Sequence, residues 1–358
     1  MVDVAKFVEG LSAAGVGFFA GVPDSLLKSF CAYLTDTCGS CHVIAANEGG
    51  AVALASGTYL ATGRPALVYM QNSGQGNAVN PLASLADPDV YSIPMILLVG
   101  WRGEPGVHDE PQHVKQGKVT LSLFETLGVP AEVLSDATSK AVAQARRLVR
   151  RAKKERRPVA LVVRKGTFGT YSLKARRPDI AAAKREATIE RILKRLPPDA
   201  VVVSTTGMIS REVYETRVRL GQGHERDFLT VGSMGHACQI AMGIARARPE
   251  RPVYCLDGDG AAIMQMGNLA IVGQSGCANL THVVLNNAAH DSVGGQPTVG
   301  GAIDLTAIAK ACGYGRRGAP KFREIKVAKG ARADLGRPKE RPQENKTLFM
   351  RTLGVEAK

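Results

Sequence analysis

Short, uninterrupted apolar runs alternate with longer amphipathic stretches along the first half of the chain. Residues 17–20, 43–46, 66–70, 95–99 and 159–163 lack the in-and-out alternation of a half-exposed sheet and read as strands buried on both faces. Helix-like stretches separate them, which is the pattern of a parallel sheet covered by helices. A charged break at residues 174–185, with Arg176, Arg177 and Pro178, reads as a linker. Beyond it the alternation resumes, with strands at 201–204, 253–257 and 282–286 and helices near 209–220, 236–246 and 264–276. The chain therefore reads as α/β: two doubly wound domains with parallel sheets, residues 1–173 and 186–358, joined by the linker 174–185. Folds of this kind bind ligands at the carboxyl ends of their strands, so the residues following each apolar run carry the candidate chemistry.

Composition narrows the class. Hydrophobic residues make up 45% and charged residues 22% of the 358, and no window offers the ~18 uncharged apolar positions of a membrane span. The amino terminus carries Asp3, Lys6 and Glu9 on an apolar repeat, so it reads as a helix of the fold, not a secretory signal. Seven scattered cysteines, an odd number in a large chain, fit a reducing cytoplasm. The net charge of +14 favours anionic partners. Its excess sits at residues 146–164, 176–195 and 316–346 without interleaved aromatics, which reads as a solvated Arg-rich surface and not a nucleic-acid site.

One motif carries specific chemistry. Gly258-Asp259-Gly260 ends one apolar run, and Asn286-Asn287 ends the next after 25 intervening residues. Glycines let a backbone approach a diphosphate closely, while a carboxylate and an amide oxygen are hard donors suited to Mg²⁺. A Gly-Asp-Gly triplet alone is a common turn; the spacing and the two strand ends make the pattern specific.

This pattern resembles the signature of the thiamine-diphosphate enzymes. The resemblance implies thiamine diphosphate and Mg²⁺ as cofactors. It implies Asp259, Asn287 and the carbonyl of Ala289 as metal ligands, with Gly258 and Gly260 beside the diphosphate. It places Met234, 25 residues before Asp259, as the apolar wedge that bends the cofactor. Glu48, in Asn47-Glu48-Gly49-Gly50 after the second apolar run, stands where the family's activating glutamate contacts the pyrimidine ring. Read without the family, Glu48 could simply favour a helix dipole. Asn72, Gly74 and Gly76, in Gln71-Asn72-Ser73-Gly74-Gln75-Gly76-Asn77, resemble the glycine-bearing loop on the pyrimidine side, although turn glycines are the commoner meaning of such a cluster.

Three further segments narrow the resemblance to the phosphonopyruvate and sulfopyruvate decarboxylases: residues 21–25, 100–113 and 289–298. The implied reaction is decarboxylation of 3-phosphonopyruvate to 2-phosphonoacetaldehyde in phosphonate biosynthesis, with sulfopyruvate decarboxylation or a synthase joining two oxo acids as enzymatic alternatives. The substrate would be a small anionic 2-oxo acid. Asp24 and His113 are the proton-handling candidates, with His108 and His290 behind them. Arg102 offers a planar fork for a phosphonate or sulfonate, and Ser25 and Ser292 add hydrogen bonds. Because Glu48 and Asp259 would serve opposite ends of one cofactor, the resemblance implies a homodimer or higher homo-oligomer.

Two features pull elsewhere. Cys38-Gly39-Ser40-Cys41-His42 has the c-type haem attachment spacing, a match by chance between a helix and a strand. The resemblance resumes at residues 327–338, but just before it only residues 315–323 stand where the family carries a further strand and helix. That shortening leaves open a catalytically impaired thiamine-diphosphate-binding subunit. Ala288 also stands where the family has glycine.

Overall fold

Strands β1 (Phe18–Gly21), β2 (His42–Ile44), β3 (Ala66–Gln71), β4 (Met95–Gly100), β5 (Ala131–Val133) and β6 (Pro158–Val163) form one all-parallel sheet in the order β2-β1-β3-β4-β6-β5. The computed structural model describes residues 1–174 and 178–356, divided into the units Met1–Arg176 and Arg177–Lys358. The lack of polar alternation in the strands has a direct cause: both faces are core. Leu67, Tyr69, Ile96 and Leu98 join the helices Val4–Ala13, Lys28–Thr37 and Thr138–Glu155 on one side. Val68, Met70, Leu97 and Val99 face the helices Glu48–Thr62 and Pro111–Thr126 on the other. Each such side chain contributes roughly 1.5–3 kcal/mol by leaving water.

The second unit repeats the plan with β7 (Val201–Ser204), β8 (Asp227–Leu229), β9 (Val253–Gly258) and β10 (Leu280–Asn286), followed by a small hairpin of β11 (Ala289–His290) and β12 (Gln296–Pro297), and then β13 (Lys321–Lys326). The sheet order is β13-β10-β9-β7-β8, all parallel. Val201, Val203 and Cys255 pack on one face, and Val202, Leu256 and Leu285 on the other.

The structure differs from the sequence expectations at identifiable places. The single helix expected at 264–276 is two, Asp259–Met264 and Gly267–Gly273, broken at Gln265 with φ −127. At the segment expected to be short, the sheet edge is not bare: residues 312–320 turn directly into β13, which pairs with β10 from Thr281↔Lys321 to Asn286↔Lys326. Periodicity does not reveal β5, β8 or β13. Among the described residues no helix is long and apolar enough to cross a membrane.

Candidate functional site

In the first unit, Glu48 opens its helix because Asn47 caps it, the Asn47 side chain accepting from Gly50 N at 2.8 Å. Glu48 is only 4% exposed, which does not fit a surface group tuning a helix dipole. Its Oε2 accepts from Asn77 Nδ2 at 2.7 Å, and burial raises its pKa against that hydrogen bond. A Cβ on Gly74 would lie 2.2 Å from Glu48 Oε1, so the glycine loop closes on the carboxylate because nothing larger fits. Gly76 has open space around it.

Asn72 is spent on architecture. Its Nδ2 donates to the Arg102 carbonyl at 2.7 Å and to Thr120 Oγ1 at 2.9 Å, and its Oδ1 accepts from Arg102 N at 3.1 Å. Asp24 is fully buried, accepting from Leu26 N, Leu27 N and Gln71 Nε2, and burial raises its pKa against these bonds and the Arg102 charge. Arg102 holds Asp109 bidentately through Nε and Nη2 and donates from Nη1 to Ser25 Oγ at 2.8 Å. Against its burial, these bonds hold Asp109 down at about 2. His113 is 8% exposed, its Nδ1 without a hydrogen-bond partner among the described residues, and burial followed by the Arg102 charge lowers its pKa. Asp24, Ser25, Arg102, Asp109 and His113 thus gather at the ends of β1 and β4, whereas His108 is exposed.

In the second unit, Asp259 and Asn287 follow the neighbouring strands β9 and β10 and are 2% and 4% exposed. Asp259 Oδ1 accepts from Asn287 N at 3.4 Å and Oδ2 from the Thr298 hydroxyl; burial raises its pKa against these donors. Gly300 packs on Asp259 Oδ2, where an added Cβ would stand 2.5 Å away, and Gly260 packs on the His290 ring. Burial pushes His290 down to about 4. The carbonyl of Ala289 lies in the hairpin that follows Asn287. Met234 sits half-buried in the turn before the helix Ala237–Ala247, where the next residue, Gly235, accepts at its carbonyl from Asn268 Nδ2 of the helix Gly267–Gly273 at 3.0 Å. Ser292 is exposed, beside Gly207.

Several residues of these sites carry no sequence signal. Thr205, at the end of β7, is 4% exposed with Oγ1 unpartnered among the described residues, and precedes Gly207 (φ 94) and the helix Met208–Arg219. A buried orphan hydroxyl at a helix start, next to the Gly258 to Gly260 turn on β9, is a donor set suited to phosphate oxygens. Asn77, Thr298 and Asp291 lie inside segments that carry the resemblance, but the contacts they make depend on the paths of the helix Gln75–Pro81 and of the loop after β10, which the motifs do not encode. A second cluster, Cys255, Asp257 and His282, has ligand atoms within 4.8 Å of one another but is wholly buried inside the sheet. Its thiol and imidazole are soft donors, unsuited to Mg²⁺. His282 instead bridges Asp257 at 3.4 Å and Tyr314 at 3.3 Å. The Cys38 to His42 motif is spent locally, with Cys41 Sγ on the Cys38 carbonyl and His42 Nε2 against Tyr69 OH.

Two parallel α/β units, one with a buried glutamate under a glycine loop and the other with Gly-Asp-Gly and Asn-Asn at adjacent strand ends, define a thiamine-diphosphate enzyme. Residues 4–123 match the model of the thiamine pyrophosphate enzyme N-terminal TPP binding domain, and residues 206–351 that of the C-terminal TPP binding domain. The chain is 36% identical over 379 aligned positions to phosphonopyruvate decarboxylase of Streptomyces hygroscopicus, covering 96% of this chain and 92% of that one. It is 36% identical over 381 positions to the protein of the same name from Streptomyces viridochromogenes, covering 96% and 93%. It is 26% identical over 330 positions to sulfopyruvate decarboxylase of Methanosarcina acetivorans, covering 86% and 82%. The chain belongs to the thiamine pyrophosphate enzyme family and is a thiamine-diphosphate-dependent 2-oxo acid decarboxylase.

Proposed function

We propose that this protein converts 3-phosphonopyruvate to 2-phosphonoacetaldehyde and CO₂, with thiamine diphosphate anchored by Mg²⁺. The observation that carries the substrate reading is the 36% identity to two phosphonopyruvate decarboxylases across 96% of the chain. Asp259, Asn287 and the Ala289 carbonyl would hold Mg²⁺: all three are oxygen donors, and among the described residues Asp259 meets hydrogen-bond donors and no cationic side chain. Thr205, Gly258 and Gly260 would line the diphosphate, and Met234 the wedge. Asn72, Gly74 and Gly76 would shape the pyrimidine side.

Thiamine diphosphate, when bound, supplies a nucleophilic thiazolium carbon and accepts the electron pair that CO₂ leaves behind. Glu48 Oε1, the oxygen not bonded to Asn77, holds the proton shared with the pyrimidine ring nitrogen. Burial raises the pKa of this carboxyl against the Asn77 hydrogen bond, the direction that favours its holding a proton. Asp24 and His113 deliver the proton that completes the aldehyde. Arg102 keeps two of its five N–H groups on Asp109 and one on Ser25, and turns the remainder to the phosphonate. Ser25 and Ser292 add hydrogen bonds to that group. A homodimer completes the proposal, and the seven unpaired cysteines support a reducing cytoplasm.

Initial rates with Arg102→Ala test the substrate reading. A charge-assisted hydrogen bond of about 1.5–3 kcal/mol raises KM for phosphonopyruvate roughly tenfold to hundredfold, and leaves KM for pyruvate nearly unchanged. Equal increases for both substrates contradict it. Preference of the unaltered enzyme for sulfopyruvate replaces the phosphonate reading with its sulfonate neighbour.

A further inference from the structure

Only one of the two ends of an asparagine amide can ligate a cation, and the two ends are nearly the same size. If Asn287 is to present Oδ1, something must prevent the amide from turning over. Nδ2 of Asn287 donates to Asp291 Oδ2 at 2.7 Å. A carboxylate accepts and cannot donate, so it tolerates the NH₂ end of the amide and repels the oxygen end. Asp291 is itself immobilised: the same Oδ2 accepts from Arg185 Nη1 at 2.8 Å and from Gly330 N at 2.9 Å. Arg185, 5% exposed, is in turn held bidentately by Glu212 at 2.8 and 3.0 Å. The other end of the amide, Oδ1, accepts only from Ala289 N at 3.1 Å among the described residues, which leaves a lone pair for a metal.

We propose that Asp291 is a positioning residue that, through its own hydrogen bond to Nδ2, fixes the Asn287 amide with Oδ1 toward the divalent cation. The proposal rests on the reading of Asn287 as a metal ligand. A second role is visible in the same contacts: the Arg185 clasp joins the helix Arg185–Leu193, the helix Met208–Arg219 and the segment around Gly330, so Asp291 could act on stability alone. Glu212 separates the two roles, because it grips Arg185 without touching Asn287.

The test is Mn²⁺ binding to the full chain with thiamine diphosphate and no substrate, measured by the electron paramagnetic resonance signal of free Mn²⁺. Asp291→Asn can turn its own NH₂ toward Asn287, and is expected to raise the half-saturating Mn²⁺ concentration at least about tenfold. Glu212→Gln is expected to lower the melting temperature while leaving Mn²⁺ binding within about twofold. In an Asn287→Asp background the two oxygens are equivalent and orientation no longer matters. There Asp291→Asn is expected to change Mn²⁺ binding by less than about threefold, a rescue of the tenfold loss that a purely structural residue would not show. Unchanged binding in Asp291→Asn, or equal weakening in Glu212→Gln, overturns the proposal while Asn287→Ala still abolishes binding. If Asn287→Ala binds Mn²⁺ normally, the metal-ligand reading fails first and this proposal falls with it.

Discussion

Ala288 lies between the proposed metal ligands Asn287 and Ala289 with φ 55, in the left-handed region that L side chains avoid. Replacing it with glycine removes the Cβ penalty but adds freedom to the unfolded chain. Ala288→Gly is therefore expected to gain about 0.5–1 kcal/mol in urea unfolding; a loss of stability would mean that the Cβ is needed for packing. Gly74 makes the opposite case, because a methyl group there collides with Glu48 Oε1. Gly74→Ala should retain its fold by circular dichroism and lose at least about tenfold in kcat, and normal turnover would show that Glu48 need not sit there. His42 shows how burial makes stability depend on pH, since its pKa is pushed down to about 4. The unfolded chain takes up that proton near pH 6.5 and the folded chain does not, so stability is present above 6.5 and is lost as pH falls toward 4. His42→Gln should flatten this slope, by up to about 1.4 kcal/mol per pH unit. Glu48, Asp259 and Asn287 are legible in sequence because each ends an apolar run. Asn77, Thr298 and Asp291 fall inside segments of the resemblance, but which partners they meet is not legible, since that depends on the path of a helix and a loop that no pattern encodes.

At the scale of elements, legibility follows burial. β3, β4 and β6 are apolar throughout because both faces are covered, and their sequences read as strands. β13 reads Lys-Phe-Arg-Glu-Ile-Lys along the sheet edge, where exposed charged positions erase the apolar run. It still contributes to the site's support, since Glu324 Oε1 accepts from Asn286 Nδ2 at 2.7 Å, one residue from Asn287. β8 is short and held at Asp227 by Arg217 of the helix Met208–Arg219, a bidentate pair at 2.8 and 2.9 Å with both side chains nearly inaccessible. Arg217→Met leaves Asp227 buried without its cation and is expected to cost about 3–5 kcal/mol in urea unfolding. A cost below about 1 kcal/mol would mean that Asp227 is stable as the neutral acid, the direction in which burial pushes it.

For the whole molecule, the doubly wound plan was legible because two stretches of buried parallel strands flank one charged break. The segment before β13 is where expectation and structure part. The alignment to the Streptomyces hygroscopicus relative runs over 379 positions, 21 more than this chain has residues, so that relative carries at least that many residues with no counterpart here. Here the turn at 312–320 leads straight into β13, and β10 pairs in register with both β9 and β13. Phosphorus NMR of the purified protein with phosphonopyruvate, thiamine diphosphate and Mg²⁺ tests the central claim most directly, with Glu48→Gln and omission of thiamine diphosphate as controls. Phosphonoacetaldehyde that accumulates only with the cofactor and intact Glu48 is the expected result. Unchanged phosphonopyruvate, under conditions where the cofactor binds, would contradict the proposed reaction and leave a thiamine-diphosphate-binding protein that acts on another oxo acid or on none.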